Sequence, residues 1–217
     1  MNLPDNGIIL ADKPAGITSF GVVARIRRQL SQQIGKKVKV GHTGTLDPFA
    51  TGLMILVTGK ECKNANQYSK LDKVYEATIF LGVTSSTGDP EGELTKINDE
   101  KPKLEAVKKT LTSFVGSIEQ TPPAYSAIKV NGQRAYKLAR EGKKVEIPQR
   151  KVNIYSLELL SYDYPNLKIR TRVSSGTYIR TLAEDIGKAL KVGAYCIELR
   201  RTEISKWNVG SALQIIS

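Results

Sequence analysis

The sequence predicts an α+β fold with a central mixed, largely antiparallel sheet flanked by helices and loops. Three observations lead there. Six stretches read as strands, at residues 7–12, 53–57, 74–83, 152–162, 167–173 and 194–204. Helical periodicity is confined to residues 19–30, 103–114 and 178–190, with a short helix near 134–140. Their order is mixed and lacks the regular strand–helix alternation of a parallel α/β sheet.

Each element has a local reason. The apolar stretch at 7–12 is closed by Lys13-Pro14-Ala15-Gly16, a turn composition. Ser19 is the expected N-cap of the first helix, whose apolar face is Val22, Val23, Ile26 and Leu30. Residues 53–57 form a short apolar run, and 74–83 alternate as a half-buried strand does. The segment at 121–150 is rich in Pro, Lys and Arg and poor in large aliphatics, and it contains Tyr125 and Tyr136. It reads as a protruding insertion within a single domain spanning 1–217.

Composition narrows the function. Hydrophobic residues make up 40% and charged residues 25% of the chain, as expected of an ordinary soluble globular protein. Lysine and arginine number 33 against 21 acids, a formal charge of +12 that attracts a polyanion such as RNA. Ribosomal and membrane-surface proteins share that property. The two cysteines, Cys62 and Cys196, make no disulfide framework, and a single histidine argues against a Cys/His zinc site. No apolar run reaches membrane-spanning length, and the N-terminus lacks the features of a signal peptide, so a cytoplasmic protein is expected. A phosphate-binding P-loop is excluded, because Gly59-Lys60 is followed by Glu61 and has no glycine five residues before it.

The most informative segment is 41–52, Gly-His-Thr-Gly-Thr-Leu-Asp-Pro-Phe-Ala-Thr-Gly. Glycines permit close backbone approach, and Pro48 biases Asp47 towards an extended conformation that aims its carboxylate. The local residues leave two readings open: a turn organiser through an Asx hydrogen bond, or a reactive carboxylate. A second segment, Val173-Ser174-Ser175-Gly176-Thr177-Tyr178-Ile179-Arg180, stands at a strand-to-helix junction, where backbone N–H groups and hydroxyls favour anions. Arg180 lies in the first helical turn, against the dipole preference, which a facing carboxylate would explain. Tyr75 offers a ring for stacking on an unpaired base, worth about 1–3 kcal/mol. The basic, tyrosine-bearing insertion suits a clamp on a nucleic-acid loop.

Taken together, these blocks resemble the TruB family of pseudouridine synthases over almost the whole chain. Lys13-Pro14-x-Gly16-x-Thr18-Ser19 is similar to its N-terminal motif, and residues 41–52 to its catalytic block. Pro123-Ala124-Tyr125-Ser126-Ala127-Ile128-Lys129 resembles the thumb insertion. Ser175-Gly176-Thr177-Tyr178-Ile179-Arg180 and Leu199-Arg200-Arg201-Thr202 match the remaining blocks. The resemblance implies a pseudouridine synthase fold and an isomerase acting on uridine in the T-loop of tRNA. Asp47 would begin cleavage of the C1′–N1 bond, as nucleophile or as base at the ribose. Arg180 would pair with Asp47, and Tyr75 would stack on the flipped uracil. Tyr178 and Leu199 would line the pocket, His42 would fill the space left by the flipped base, and Lys129 and Tyr125 would hold the T-loop. No metal or cofactor is implied, since substrate and product are isomers, and no protein partner beyond a monomer. The chain would be a compact form without the C-terminal PUA-type domain of many relatives.

Overall fold

The structure is a computed structural model describing residues 2–126, 128–130, 132–141 and 146–215; of Lys129, Val130, Tyr136 and Arg140 the backbone alone is described. The strands in chain order are β1 (Gly7–Lys13), β2 (Val40–His42), β3 (Thr51–Thr58), β4 (Lys73–Leu81), β5 (Val83–Ser85), β6 (Leu94–Lys96), β7 (Gly116–Gln120), β8 (Lys129–Val130), β9 (Gln133–Arg134), β10 (Arg150–Asp163), β11 (Asn166–Val173), β12 (Ala194–Ile204), β13 (Trp207–Asn208) and β14 (Leu213–Gln214). The α-helices are α1 (Ser19–Ile34), α2 (Ala65–Ser69), α3 (Leu104–Ser113), α4 (Ala135–Arg140) and α5 (Ile179–Ala189). The α+β expectation holds: the sheet is mixed and mostly antiparallel.

The chain divides into two compact units, one of residues 1–75 and 200–217, the other of residues 76–199. In the first, the strand order is β14-β1-β3-β12, with β2 alongside β3 and β13 alongside β12. β1 and β3 are antiparallel from Gly7↔Thr58 to Lys13↔Gly52. The end of β12 lies parallel to the start of β3, with Arg200↔Thr51 and Arg201↔Gly52. β3 is buried on both faces, which is why its sequence is a continuous apolar run rather than an alternation. Leu53, Ile55 and Ile204 form a core cluster on which Ile8, Leu10, Tyr68 and Trp207 pack.

Helix α1 begins one residue away from the expected cap. Thr18, with φ −76° and ψ 156°, is the N-cap, and its hydroxyl accepts the Gly21 N–H at 3.0 Å. Both residues are good capping types, but the Ser19 hydroxyl is engaged elsewhere, as described below. The helix extends past Leu30 to Ile34 and stops at Gly35, whose φ of 74° forms a left-handed C-cap. Thr18→Ala should therefore cost about 1 kcal/mol in urea unfolding. A loss no larger than that of an exposed alanine substitution elsewhere on α1 would contradict the cap assignment.

In the second unit the strand order is β12-β4-β11-β10-β7. The alternation on β11 is regular: Leu167, Ile169 and Val173 are buried, whereas Lys168 and Arg172 are exposed. Helix α5 buries Ile179, Leu182, Ala183 and Ile186. Gly187 lets it approach β12 closely, since a Cβ there would lie 2.4 Å from the Ala194 nitrogen. Residues 121–150 include the β8–β9 hairpin and α4, the latter close to the expected short helix.

Candidate active site

In the first unit the loop carrying Asp47 is pinned along its length by buried polar groups. Its N-terminal end leaves β2 at His42, opposite Leu56. Thr43 then donates its N–H and its hydroxyl to the Ile55 carbonyl, at 3.1 and 3.2 Å. Buried Ser19 accepts the Leu46 N–H and donates to the Leu46 carbonyl, both at 2.8 Å, fixing the residue that precedes Asp47. The Asp47 carbonyl accepts the Ala50 N–H at 3.2 Å, closing a four-residue turn with Pro48 in its favoured second position. Asp47 itself is half-buried at the entrance of β3.

Two buried cations hold this loop through main-chain carbonyls. Lys13 is fully buried, and its Nζ donates to the carbonyls of Pro14 (2.8 Å), Ile17 (2.8 Å) and Pro48 (3.1 Å). The Gly16 N–H reaches the same Pro48 carbonyl at 2.9 Å. An ammonium has three donors, and these carbonyls satisfy all three. Arg201, 1% exposed, donates from Nε to Leu53 (2.7 Å) and from Nη2 to Gly44 (3.2 Å). Its backbone crosses Gly52 so closely that a Cβ there would lie 2.3 Å from the Arg201 oxygen, and Gly52 has a φ of +108°. Nearby, Arg200 forks onto Asp12 at 2.7 and 3.2 Å, and Gln214 donates to the same carboxylate. A carboxylate on a turn held at both ends loses little freedom when a substrate docks, which suits directed chemistry.

Burial, and then the Arg201 guanidinium, lowers the His42 pKa below its ordinary 6.5, so its ring is neutral at neutral pH. Lys73 is also buried, donating to the Ser69 and Leu71 carbonyls at 2.7 and 2.5 Å. Burial, reinforced by Arg201 and partly opposed by Asp72, lowers its pKa from 10.5 to about 8. Between these values the unfolded chain binds more protons than the folded one, so this group makes stability rise with pH from about 8 to 10.5. In denaturant titrations across that range, wild type should gain stability relative to Lys73→Met. A constant difference would refute the buried, depressed ammonium. Tyr75, two residues on in β4, is 8% exposed.

In the second unit Arg180 is 3% exposed. Its Nη1 donates to the Asp89 carboxylate at 3.0 Å and to the Thr87 carbonyl at 2.7 Å, and its Nη2 donates to the Tyr125 carbonyl at 2.8 Å. Asp89 is buried too, accepting the Thr87 hydroxyl (2.6 Å) and the Glu91 N–H (3.0 Å). Thus the carboxylate that Arg180 meets within its own unit is Asp89. Sequence reasoning missed it, because the partners are 91 positions apart. Beside this pair, Glu184 approaches Gly88, and its carboxyl is raised above the ordinary range, chiefly by burial.

Tyr178 is the N-cap of α5. Its backbone is held at both polar ends by buried Gln120, which accepts its N–H (2.7 Å) and donates to its carbonyl (3.0 Å). Its ring lies 4.9 Å from the Arg150 guanidinium, which also bonds the Gly176 carbonyl. Two hydroxyls of this junction bond the protein itself. Thr177 donates to the Ser174 carbonyl at 2.9 Å, and the Ser174 Oγ accepts the Asn153 N–H at 2.9 Å. Leu199 is buried in β12, and the Tyr125 side chain is exposed. Lys129 opens β8; its side chain lies outside the described residues, as does the whole of Ala127 in the same motif. His42, Asp47 and Tyr75 thus belong to one unit, and Tyr125, Lys129, Tyr178, Arg180 and Leu199 to the other.

A solved Cbf5-Nop10-Gar1 complex contains a chain whose fold superposes on 97% of this one, with a TM-score of 0.74 and 28% identity. This chain spans about half, 53%, of that neighbour's length. Two proteins named tRNA pseudouridine synthase B are more similar in sequence. That of Francisella philomiragia is 45% identical over 97% of this chain and 68% of its own. That of Phocaeicola vulgatus is 44% identical over 100% of this chain and 93% of its own. A family model described as TruB family pseudouridylate synthase (N terminal domain) matches residues 27–179. The chain belongs to the TruB family of pseudouridylate synthases.

Proposed function

We propose that this protein isomerises uridine to pseudouridine in tRNA, at the T-loop position conventionally numbered 55. Family membership supports the reaction class. The observation that carries the reading within this chain is the turn at Asp47, held by Ser19 on one side and by Lys13 through Pro48 on the other. The uridine is extruded from its loop at a cost of a few kcal/mol, which stacking on Tyr75 and backbone contacts from the insertion offset. The Asp47 carboxylate begins cleavage of the C1′–N1 bond, oriented by Arg180. The freed uracil turns, C1′ bonds to C5, the C5 proton leaves and N1 acquires a proton, so atoms and charge balance. Tyr178 and Leu199 line the pocket, His42 occupies the vacated space as a neutral ring, and Tyr125 and Lys129 hold the T-loop. The enzyme acts as a monomer in the cytoplasm, without a protein partner.

Among the described residues, no helix is long and apolar enough to cross a membrane. The assay is tritium release from an isolated T-arm hairpin labelled at uridine C5. One tritium released per hairpin is the expected result. Tight binding of the hairpin without release would identify an RNA-binding protein that does no chemistry.

A further inference from the structure

Away from Asp47, the first unit has a second concave surface that the proposed chemistry does not use. It is a cavity of about 410 Å³ walled by Lys36, Lys37, Lys39 and Lys60, with Asp5 and Asn6 on its rim. The rim is held in place: the Gly59 N–H donates to the Lys39 carbonyl (2.9 Å) and the Lys60 N–H to Asn6 Oδ1 (2.8 Å). All four lysines are exposed, and among the described residues none is in an ion pair. Asp5 offsets at most one of the four charges. The dipole of α1 accounts for part of this, since Lys36 and Lys37 follow its C-terminal cap. It does not account for Lys60, which enters from the far end of β3.

Position decides what such a cavity can bind. Asp47 sits at the Thr51 end of β3, and Gly59 and Lys60 follow its Thr58 end. Eight residues of strand at about 3.3 Å each separate the two ends by roughly 25 Å. The cavity therefore cannot touch the nucleotide being isomerised. No aromatic ring lines it, so it does not stack on bases. Four mobile ammonium groups around a concave floor suit the oxygens of phosphodiesters, which position an RNA without reading its sequence.

We propose that Lys36, Lys37, Lys39 and Lys60 form a phosphate-docking site for a part of the RNA substrate remote from the target uridine. The proposal rests on the reading of the protein as an RNA-modifying enzyme. The site supplies binding and not chemistry, so its loss raises KM and leaves kcat alone.

The test uses Lys39→Gln/Lys60→Gln, with Lys108→Gln/Lys109→Gln on α3 as a control of equal charge loss. Unmodified tRNA is the ligand, and Kd is measured from low to moderate salt alongside steady-state turnover. The expected result is a KM and Kd raised about tenfold, a salt slope reduced by about two, kcat within twofold of wild type, and a control near wild type. An unchanged slope and KM, or an equal change in the α3 control, overturns the docking site. If wild type itself fails to form pseudouridine, the proposed function fails, while Kd and its salt slope still judge the site.

Discussion

Replacing Asp47 by Asn should reduce pseudouridine formation by at least about 10³-fold while tRNA Kd stays within about threefold. The asymmetry follows from how the residue is held. Asn matches Asp in size, and the turn depends on main-chain groups: the Asp47 carbonyl, the Ala50 N–H and the Pro48 carbonyl under Lys13. The substitution therefore removes the carboxylate while leaving those main-chain hydrogen bonds in place. Single-turnover rates with excess enzyme, together with filter binding, separate the two quantities. A variant retaining a tenth of the wild-type rate would show that Asp47 only organises its turn.

The second large effect is on the buried pair in the other unit. Arg180→Ala should destabilise the protein by about 3–5 kcal/mol, because Asp89 would be left buried without its cation. The Thr87 and Tyr125 carbonyls would lose their donors as well. The double replacement Asp89→Leu/Arg180→Met removes both charges and should recover part of that stability, the Thr87 and Tyr125 carbonyls still lacking their donors. It should not recover turnover, since Arg180 orients the reacting carboxylate in the proposed mechanism. Urea unfolding and tritium release on the same samples test the split. A loss below about 1 kcal/mol for Arg180→Ala would show that the pair contributes little, and turnover by the double variant would remove Arg180 from the mechanism.

The parts of the fold that were legible in the sequence are those with period or bulk. β3 announces itself as an apolar stretch, and α1 by Val22, Val23, Ile26 and Leu30 on one face. Strands of two or three residues, such as β2, β5, β13 and β14, are too short to carry a periodicity and leave no signal in the sequence. The cap of α1 lies one residue before the position expected from sequence, because Thr18 and Ser19 are both capping types. What distinguishes them is a contact 27 positions away, at Leu46. At the site, Lys13 and Arg201 stand inside motifs noted for their resemblance, yet nothing local reveals that each is a buried cation on backbone carbonyls. Their partners are main-chain atoms, which leave no residue-type signal, and those at Pro48, Leu53 and Gly44 are distant in sequence as well. Asp89 was invisible for a related reason: its loop bends at Gly88, with φ +72°, and meets α5 only in the folded chain.

In the proposed mechanism the rigidly held Asp47 turn serves isomerisation of one tRNA uridine. Chemical mapping of pseudouridine in unmodified tRNA, after incubation with the wild-type protein, tests it most directly. One new pseudouridine, at the T-loop position, is the expected result. A T-loop uridine left intact on tRNA that the protein demonstrably binds would contradict it.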